Sequence, residues 1–299
     1  MEGGVVMAVL DVYMNSYLVG DFTKSSTGSH QFSYSPQWLA IPGIRPISLS
    51  MPLRKQAYKG DEVYNFFDNL LPDNLEVRNR VVARHNADST QAFDLLAKIG
   101  QDSVGALQLI PHGQPPFDIK KIESKPLSNK QLEKVLKGYQ SNIPLGMLAD
   151  DDDFRISIAG AQEKTALLKI DGQWRLPIKS TPTTHIIKLP IGQIKSHSHS
   201  IDMSNSVENE YLCMMIVREF GLDAPECSII KVGNIKALAV ERFDRKFSSD
   251  GTWIMRLPQE DFCQTLNIPP AKKYESHGGP GIEQIMPYLL GSMNSERDR

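Results

Sequence analysis

Between Thr165 and Glu241 the sequence runs through three short strands, a helix and two more strands, and this order sets the tightest limit on the fold. Thr165–Ile170 and Gln173–Leu176 flank Asp171-Gly172, a pair that accepts the positive φ of a two-residue hairpin turn. Thr183–Leu189 is a third strand. Asn205–Phe220 reads as a helix: Ser206 can cap it, Tyr211, Met214, Met215 and Val217 line one face, and Gly221 ends it. Cys227–Val232 and Lys236–Glu241 fold back around Gly233-Asn234 as a second hairpin. The class is α+β.

Upstream, Val9–Met14, Leu18–Phe22 and His30–Tyr34 alternate as strands, with turns at Asn15-Ser16 and Ser26-Thr27-Gly28. Residues 61–85 carry a helical stripe of Val63, Phe66, Phe67, Leu70 and Leu71, which Pro72 interrupts before Val77, Val81 and Val82 resume it. A second helix spans Gln91–Ile99, and Gly105–Ile110 is a strand. The four prolines from Pro111 to Pro126 mark a loop or linker. Ser128-Asn-Lys-Gln131 is a capping box that opens a helix reaching about Tyr139.

With 299 residues the chain has room for about two domains. Lys+Arg total 33 against 35 Asp+Glu, so no basic excess argues for nucleic-acid binding by charge alone. The three cysteines, Cys213, Cys227 and Cys263, are far apart; they make neither a disulfide framework nor a zinc-ligand pair and suit a reducing cytosol. The N-terminus has no basic region of a secretory signal, and no apolar run approaches the ~20 residues of a membrane span. His197 and His199 sit in a Ser-rich stretch, Lys195–Asn205, that reads as a solvated loop rather than a metal pair.

Four groups of residues could carry chemistry. Ala159, Gly160 and Ala161 are small enough for backbone N–H groups to approach a phosphate, and Lys164 adds a cation; the other reading is a tight turn into a strand. Lys188 lies within an apolar strand, where an ammonium is costly unless it meets an anion. The small lobe of a protein kinase shares this element order and sets a third-strand lysine against nucleotide phosphates and a helix glutamate. Glu208 and Glu210 open the following helix: Glu210 is the better-placed partner for Lys188, or both acids simply favour the helix N-terminus. Glu241, Arg242 and Phe243 stand where a kinase hinge reads adenine, or form a charged turn after a strand.

Longer strings are more specific. Asn-Phe-Phe-Asp-Asn-Leu-Leu-Pro-Asp (65–73) and Phe-Asp-Leu-Leu-Ala-Lys-Ile-Gly-Gln-Asp-Ser-Val-Gly-Ala (93–106) fall in the first half. Asp-Phe-Arg-Ile-Ser-Ile-Ala-Gly-Ala-Gln-Glu-Lys-Thr-Ala-Leu-Leu (153–168), Thr-Pro-Thr-Thr-His-Ile-Ile-Lys-Leu-Pro (181–190), Asn-Glu-Tyr (209–211) and Leu-Ala-Val-Glu-Arg-Phe-Asp-Arg (238–245) follow. Arg-Leu-Pro-Gln-Glu-Asp (256–261) and Lys-Tyr-Glu-Ser-His-Gly-Gly-Pro-Gly (273–281) come last. In this order they resemble the HipA family of bacterial serine/threonine protein kinases, its enterobacterial members above all; these kinases are the toxin partners of HipB-type antitoxins.

The resemblance implies a two-lobed, PI3/4-kinase-like fold behind a small N-terminal α+β domain. The implied divisions are 1–112 for that domain, 113–150 for a linker and helix, 151–245 for the ATP-binding small lobe and 246–299 for the start of an incomplete large lobe. It implies ATP and Mg2+, with the γ-phosphate passed to a serine. Ala159, Gly160, Ala161, Gln162, Glu163 and Lys164 match the loop that covers the phosphates, Lys188 the lysine that contacts them, and Glu241 to Phe243 the adenine-holding segment. Ser157 matches an autophosphorylated serine, where about −1.5 to −2 of added charge would repel the phosphate loop. The implied partners are a HipB-like antitoxin, operator DNA through the antitoxin complex, and glutamyl-tRNA synthetase as substrate. Growth arrest or persistence and a cytoplasmic location complete the expectation.

One departure stands out. Family members carry Asp-Gly-His-Ala-Lys-Asn, whose Asp orients the substrate hydroxyl and whose Asn holds metal, followed by a second metal-binding Asp. Here no Asp has an Asn five positions later, and Asp-Gly-His does not occur. Catalytic and metal residues are thus expected beyond Arg299. The sequence reads as a fragment of an active kinase, the alternative being a catalytically dead truncated form that binds antitoxin or nucleotide.

Overall fold

The computed structural model describes residues 7–116, 118–140, 164–195 and 200–298. In the first half, strands β1 (Ala8–Met14), β2 (Tyr17–Lys24), β3 (His30–Tyr34), β4 (Tyr58–Lys59) and β5 (Leu107–Pro111) form an antiparallel sheet in the order β4-β3-β2-β1-β5. The β1–β2 turn places Asn15 and Ser16 at φ 47° and 71°, which asparagine accepts more readily than most residues. A short α1 (Pro36–Leu39) follows β3, and α2 (Asp61–Asp68), α3 (Leu75–His85) and α4 (Ala92–Ile99) supply the helices. Val63, Phe66, Phe67, Leu70 and Leu71 join Leu10, Val12, Phe22 and Phe32 in one core, with Phe22 and Phe67 stacked at 4.0 Å between centroids. The helical stripe read over 61–85 is therefore two helices, parted at Pro72, which has no N–H to continue the first.

The second sheet is built from β6 (Ser124–Pro126), β7 (Lys164–Ile170), β8 (Gln173–Pro177), β9 (His185–Lys188), β12 (Cys227–Val232) and β13 (Ile235–Glu241), in the order β12-β13-β9-β7-β8-β6. Strands β10 (Gly192–Lys195) and β11 (Ser200–Met203) form a separate hairpin before α6 (Ser206–Glu219). Helix α5 (Asn129–Gln140) covers one face of the sheet: Leu132 and Leu136 pack with Leu167, Ile187, Ala237 and Ala239. The alternate residues of β13, Leu238 and Val240, turn to the other face and meet Val207, Tyr211 and Met214 of α6.

Several local expectations change. The proline-rich run 111–126 contributes β6, whose Ser124–Pro126 pairs with Arg175–Pro177 at the sheet edge, where missing N–H groups are tolerated. Segment 113–150, read as a linker and helix, thus gives the second sheet both an edge strand and its α5 cover. The Ser-rich stretch 195–205 contains part of a hairpin rather than loop alone. The third strand shrinks to His185–Lys188; ahead of it Thr183 Oγ1 donates to Asp102 Oδ2 at 2.8 Å and Thr184 Oγ1 accepts the Lys169 N–H at 2.8 Å. The Ser206 hydroxyl does not cap α6; it accepts the Ile191 N–H at 2.9 Å.

Residues after β13 return to the first half of the chain. Strands β14 (Arg245–Phe247) and β15 (Ile254–Arg256) make a hairpin, followed by α7 (Phe262–Thr265), α8 (Ile282–Leu290) and α9 (Ser295–Asp298). Arg242, Arg245 and Arg256 converge with Asp102 and Asp244 in a buried network between the two sheets. Its neighbour Gly105 has φ +74° and a Cβ there would lie 2.8 Å from the Gln259 carbonyl, so a side chain would part the two halves. Among the described residues no helix is long and apolar enough to cross a membrane.

Candidate phosphate-binding site

Strands β7 and β9 pair antiparallel with Lys164 directly opposite Lys188. Residues directly opposite point to the same face, so both lysines leave the side of the sheet that meets α6. Leu238 is the register partner of Lys188 on β13 and packs against that helix, which fixes the face. Glu210, in the second turn of α6, receives an ion-paired hydrogen bond from Lys188 Nζ. Glu208 pairs with Lys236 of β13, so two ion pairs fasten the start of α6 to the sheet. Of the two acids that open the helix, Glu210 is the one that meets Lys188.

Lys164 is mostly buried. Burial first, and then the charge of Lys188, push its ammonium down to about 8 from its ordinary value, while Asp73 and Glu210 oppose the shift and Lys273 adds to it. Lysines 164, 188 and 273 therefore share one neighbourhood with two carboxylates. An arriving anion would stabilise the charged form of Lys164.

Asp73 comes from the first half of the chain and forms an ion pair with Lys273. It closes the motif 65–73, in which Asn65 lies on α2 and Asn69 is its C-cap residue. Asn65 Nδ2 donates to Asn267 O at 3.1 Å and to Asn267 Oδ1 at 3.0 Å, and Asn69 Nδ2 donates to Ile268 O at 2.9 Å. Gln264 Nε2 returns a bond to Phe66 O at 3.1 Å. The 65–73 motif is thus the strip on which residues 264–273 dock, beside the lysines. Sequence reading noted the motif without its partner; polar residues at helical spacing in a buried segment were the available signal.

Glu241 ends β13, and Arg242 and Phe243 follow it directly. The Glu241 N–H donates to Glu226 O at 2.7 Å and the Arg242 N–H to Thr184 O at 2.9 Å, so neither amide is left for an adenine edge. The Arg242 guanidinium is buried, bonding Asp244 at 2.8 and 2.9 Å, Thr183 Oγ1 at 2.9 Å and Ser103 O at 3.2 Å. Its role is to join the two halves. The Phe243 ring is 68% exposed. Ser157, Ala159, Gly160, Ala161, Gln162 and Glu163, like His197 and His199, lie outside the described residues.

For a polyphosphate the donor set fits: two lysines on one sheet face and a third on the adjoining segment. Among the described residues no three His, Cys, Asp or Glu side chains gather to hold a metal ion.

An antiparallel sheet with a helix on each face and a strand lysine paired to a helix glutamate, docked on a second sheet-and-helix unit, defines a two-part α+β protein. Residues 10–110 match the HipA N-terminal domain and residues 156–299 the HipA-like C-terminal domain. The chain belongs to the HipA family. Y4mE of Sinorhizobium fredii is 35% identical over 95% of this chain and 65% of its own length. The serine/threonine-protein kinase toxin HipA of Shewanella oneidensis is 26% identical over 91% of this chain and 58% of its own. A solved chain from the Shewanella oneidensis complex of HipA, HipB and operator DNA superposes with a TM-score of 0.73 at 22% identity, covering 97% of this chain and 66% of that one. The chain thus spans about two thirds or less of the length of these relatives.

Proposed function

We propose that this chain holds the nucleotide-binding part of a HipA-type serine/threonine protein kinase. The observation that carries the reading is the Lys188–Glu210 ion pair, formed between β9 and α6 with Lys164 across the strand. ATP is the nucleotide: Lys164 and Lys188 bind its phosphates, Glu210 orients Lys188, and Phe243, exposed at the end of β13, meets the base. The loop Ala159–Glu163 completes the phosphate cover, with Ser157 as its regulatory phosphorylation site. When Mg2+ is bound in the whole protein it offsets phosphate charge; this chain's lysines bind and orient the phosphates.

The finer reading extends to the whole protein. Its phosphoryl transfer goes to a serine of a translation enzyme, glutamyl-tRNA synthetase, giving growth arrest and persistence in the cytoplasm. A HipB-like antitoxin is its partner, and operator DNA is reached through that complex. The near-even balance of 33 basic and 35 acidic residues suits DNA contact through a partner rather than through this chain alone.

Titration of the purified chain with ATP tests the reading. Lys188→Ala is expected to abolish binding. Undiminished ATP affinity in Lys188→Ala overturns the site.

A further inference from the structure

We propose that Lys273 is a third phosphate-binding lysine of this site and that Asp73 is the counter-ion it must release, so that a nucleoside triphosphate competes with the first half of the chain for Lys273. The inference rests on the nucleotide-binding reading above and deepens it.

Lys273 is presented by a rigid clamp. The Tyr274 carbonyl accepts N–H bonds from His277 at 2.8 Å and Gly279 at 2.9 Å, closing the Tyr274–Gly279 loop. A Cβ on Gly279 would lie 2.2 Å from the Lys272 carbonyl oxygen and 2.6 Å from the Lys273 carbonyl carbon, so only glycine lets the loop close on the lysine backbone. Its Nζ lies 5.2 Å from the Tyr274 ring centroid. The backbone is fixed while the side-chain tip keeps a partly exposed position, 26% accessible.

The segment that leads to Asp73 is held by other bonds. The Asn65 and Asn69 amides bond to backbone oxygens of Asn267 and Ile268 and owe nothing to the charge of Lys273. Docking of the two halves can therefore survive when Asp73 lets go. The charges of both Asp73 and Lys273 are felt at Lys164, which lies across from Lys188. Lys188 holds Glu210 and Lys273 holds Asp73, while Asp261, which feels the charges of Asp73 and Lys273, caps α7 by accepting the Gln264 N–H at 2.8 Å. Glu210 serves Lys188 in the way a kinase small lobe requires. Asp73 has no such duty: it occupies a lysine that a triphosphate would otherwise take. A phosphate carries more charge than a carboxylate and makes more hydrogen bonds, so it wins Lys273 when it arrives.

Isothermal titration of the full chain with ATP and with AMP, in native protein, Lys188→Ala, Lys273→Ala, Asp73→Asn and the double variant Asp73→Asn/Lys273→Ala, tests this. Asp73→Asn is expected to tighten ATP about three- to tenfold and Lys273→Ala to weaken it by a similar factor, as removal of one charge contact does. AMP affinity is expected to change with neither, since AMP lacks the outer phosphates. Asp73 acts through Lys273, so the double variant is expected to match Lys273→Ala alone, a pattern that a purely structural contact does not produce. Unchanged or weaker ATP binding in folded Asp73→Asn overturns the proposal. If Asp73→Asn does not fold, an ATP affinity for Lys273→Ala equal to native overturns it, and a loss confined to ATP supports it. If Lys188→Ala abolishes binding while Lys273 and Asp73 variants match native, the competition fails and the nucleotide site stands. If native protein does not bind ATP, both fall.

Discussion

Asp102 Oδ1 accepts a hydrogen bond from Arg245 Nη2 at 2.9 Å across 143 positions of sequence. The same oxygen meets Arg256 at 3.2 Å, and Oδ2 accepts from Thr183 Oγ1 at 2.8 Å. Burial alone would push this carboxyl up, but Arg245, Arg256 and Arg242 together hold it well below the usual carboxylate range. Arg242 comes from the turn after β13, Arg245 from β14 and Arg256 from β15, and the aspartate from the turn after α4. This one carboxylate therefore ties the two sheets' halves together.

Asp102→Ala strips that carboxylate from three guanidiniums that are almost wholly buried. Uncompensated buried charge costs about 3–5 kcal/mol. Chemical denaturation is expected to show a loss of this size, with Asp102→Asn losing less because it keeps one acceptor. A loss below about 1 kcal/mol would falsify the view that Asp102 neutralises the network.

Glu210→Gln removes the acid that orients Lys188 and leaves the lysine charged. The pair is partly exposed on both sides, at 24% and 30%, so the change in stability is expected to stay within about 1 kcal/mol. ATP affinity is expected to fall about fivefold, roughly 1 kcal/mol, well short of the loss in Lys188→Ala. A titration in which Glu210→Gln binds as tightly as native protein would remove Glu210 from the site.

Lys164 sets a pH dependence. Its pKa in the folded protein is about 8, below the ordinary lysine value, because burial and Lys188 disfavour the ammonium. The folded state thus gives up this proton before the unfolded state does, and stability gains from Lys164 as pH rises from about 8 toward 10.5. Phosphate binding runs the other way: it needs the ammonium, so ATP affinity is expected to fall as pH rises through 8. At pH 8 binding should take up protons, visible as a heat that varies with buffer ionisation enthalpy. Lys164→Arg stays charged and is expected to abolish the uptake; uptake that persists in that variant would assign the proton to another group.

The strands, the two hairpin turns and most helices were legible because each is a local pattern. Asp171-Gly172 needs only its own positive φ values, and the stripe from Val63 to Leu71 needs only its period. Lys188 and Glu210 were legible only as one of two readings, through the likeness to a kinase small lobe, and the ion pair between them decides it. Other features depend on contacts that no local pattern encodes. Arg242 looked like a hinge residue, yet its guanidinium is spent on Asp244, Thr183 and Ser103, the last at a separation of 139 positions. Asp73 and Lys273 are 200 positions apart, and each stands in a motif that shows only half of the pair. The β6 strand was hidden by its prolines, which are compatible with a sheet edge and with a loop alike.

The run 113–150 makes a last case, because β6 and α5 belong structurally to the second sheet. Leu136 is fully buried against Leu167, Ile187, Ala237 and Ala239, although it stands far from them in sequence. The capping box before α5 is formed as the sequence suggests: Ser128 N donates to Gln131 Oε1 at 2.9 Å, and Gln131 N donates back to Ser128 Oγ at 3.4 Å. If α5 were only a spacer, Leu136→Ala would cost a few tenths of a kcal/mol, as helix propensity alone allows. As a cover for the sheet face opposite the lysines, it is expected to cost about 2–5 kcal/mol from lost burial and the cavity left behind. Denaturation followed by Trp174 fluorescence measures it, since Trp174 packs at the edge of the same cluster. Lys188 leaves the other face of the sheet, so ATP affinity of the folded variant is expected to match native protein, separating loss of the cover from loss of the site.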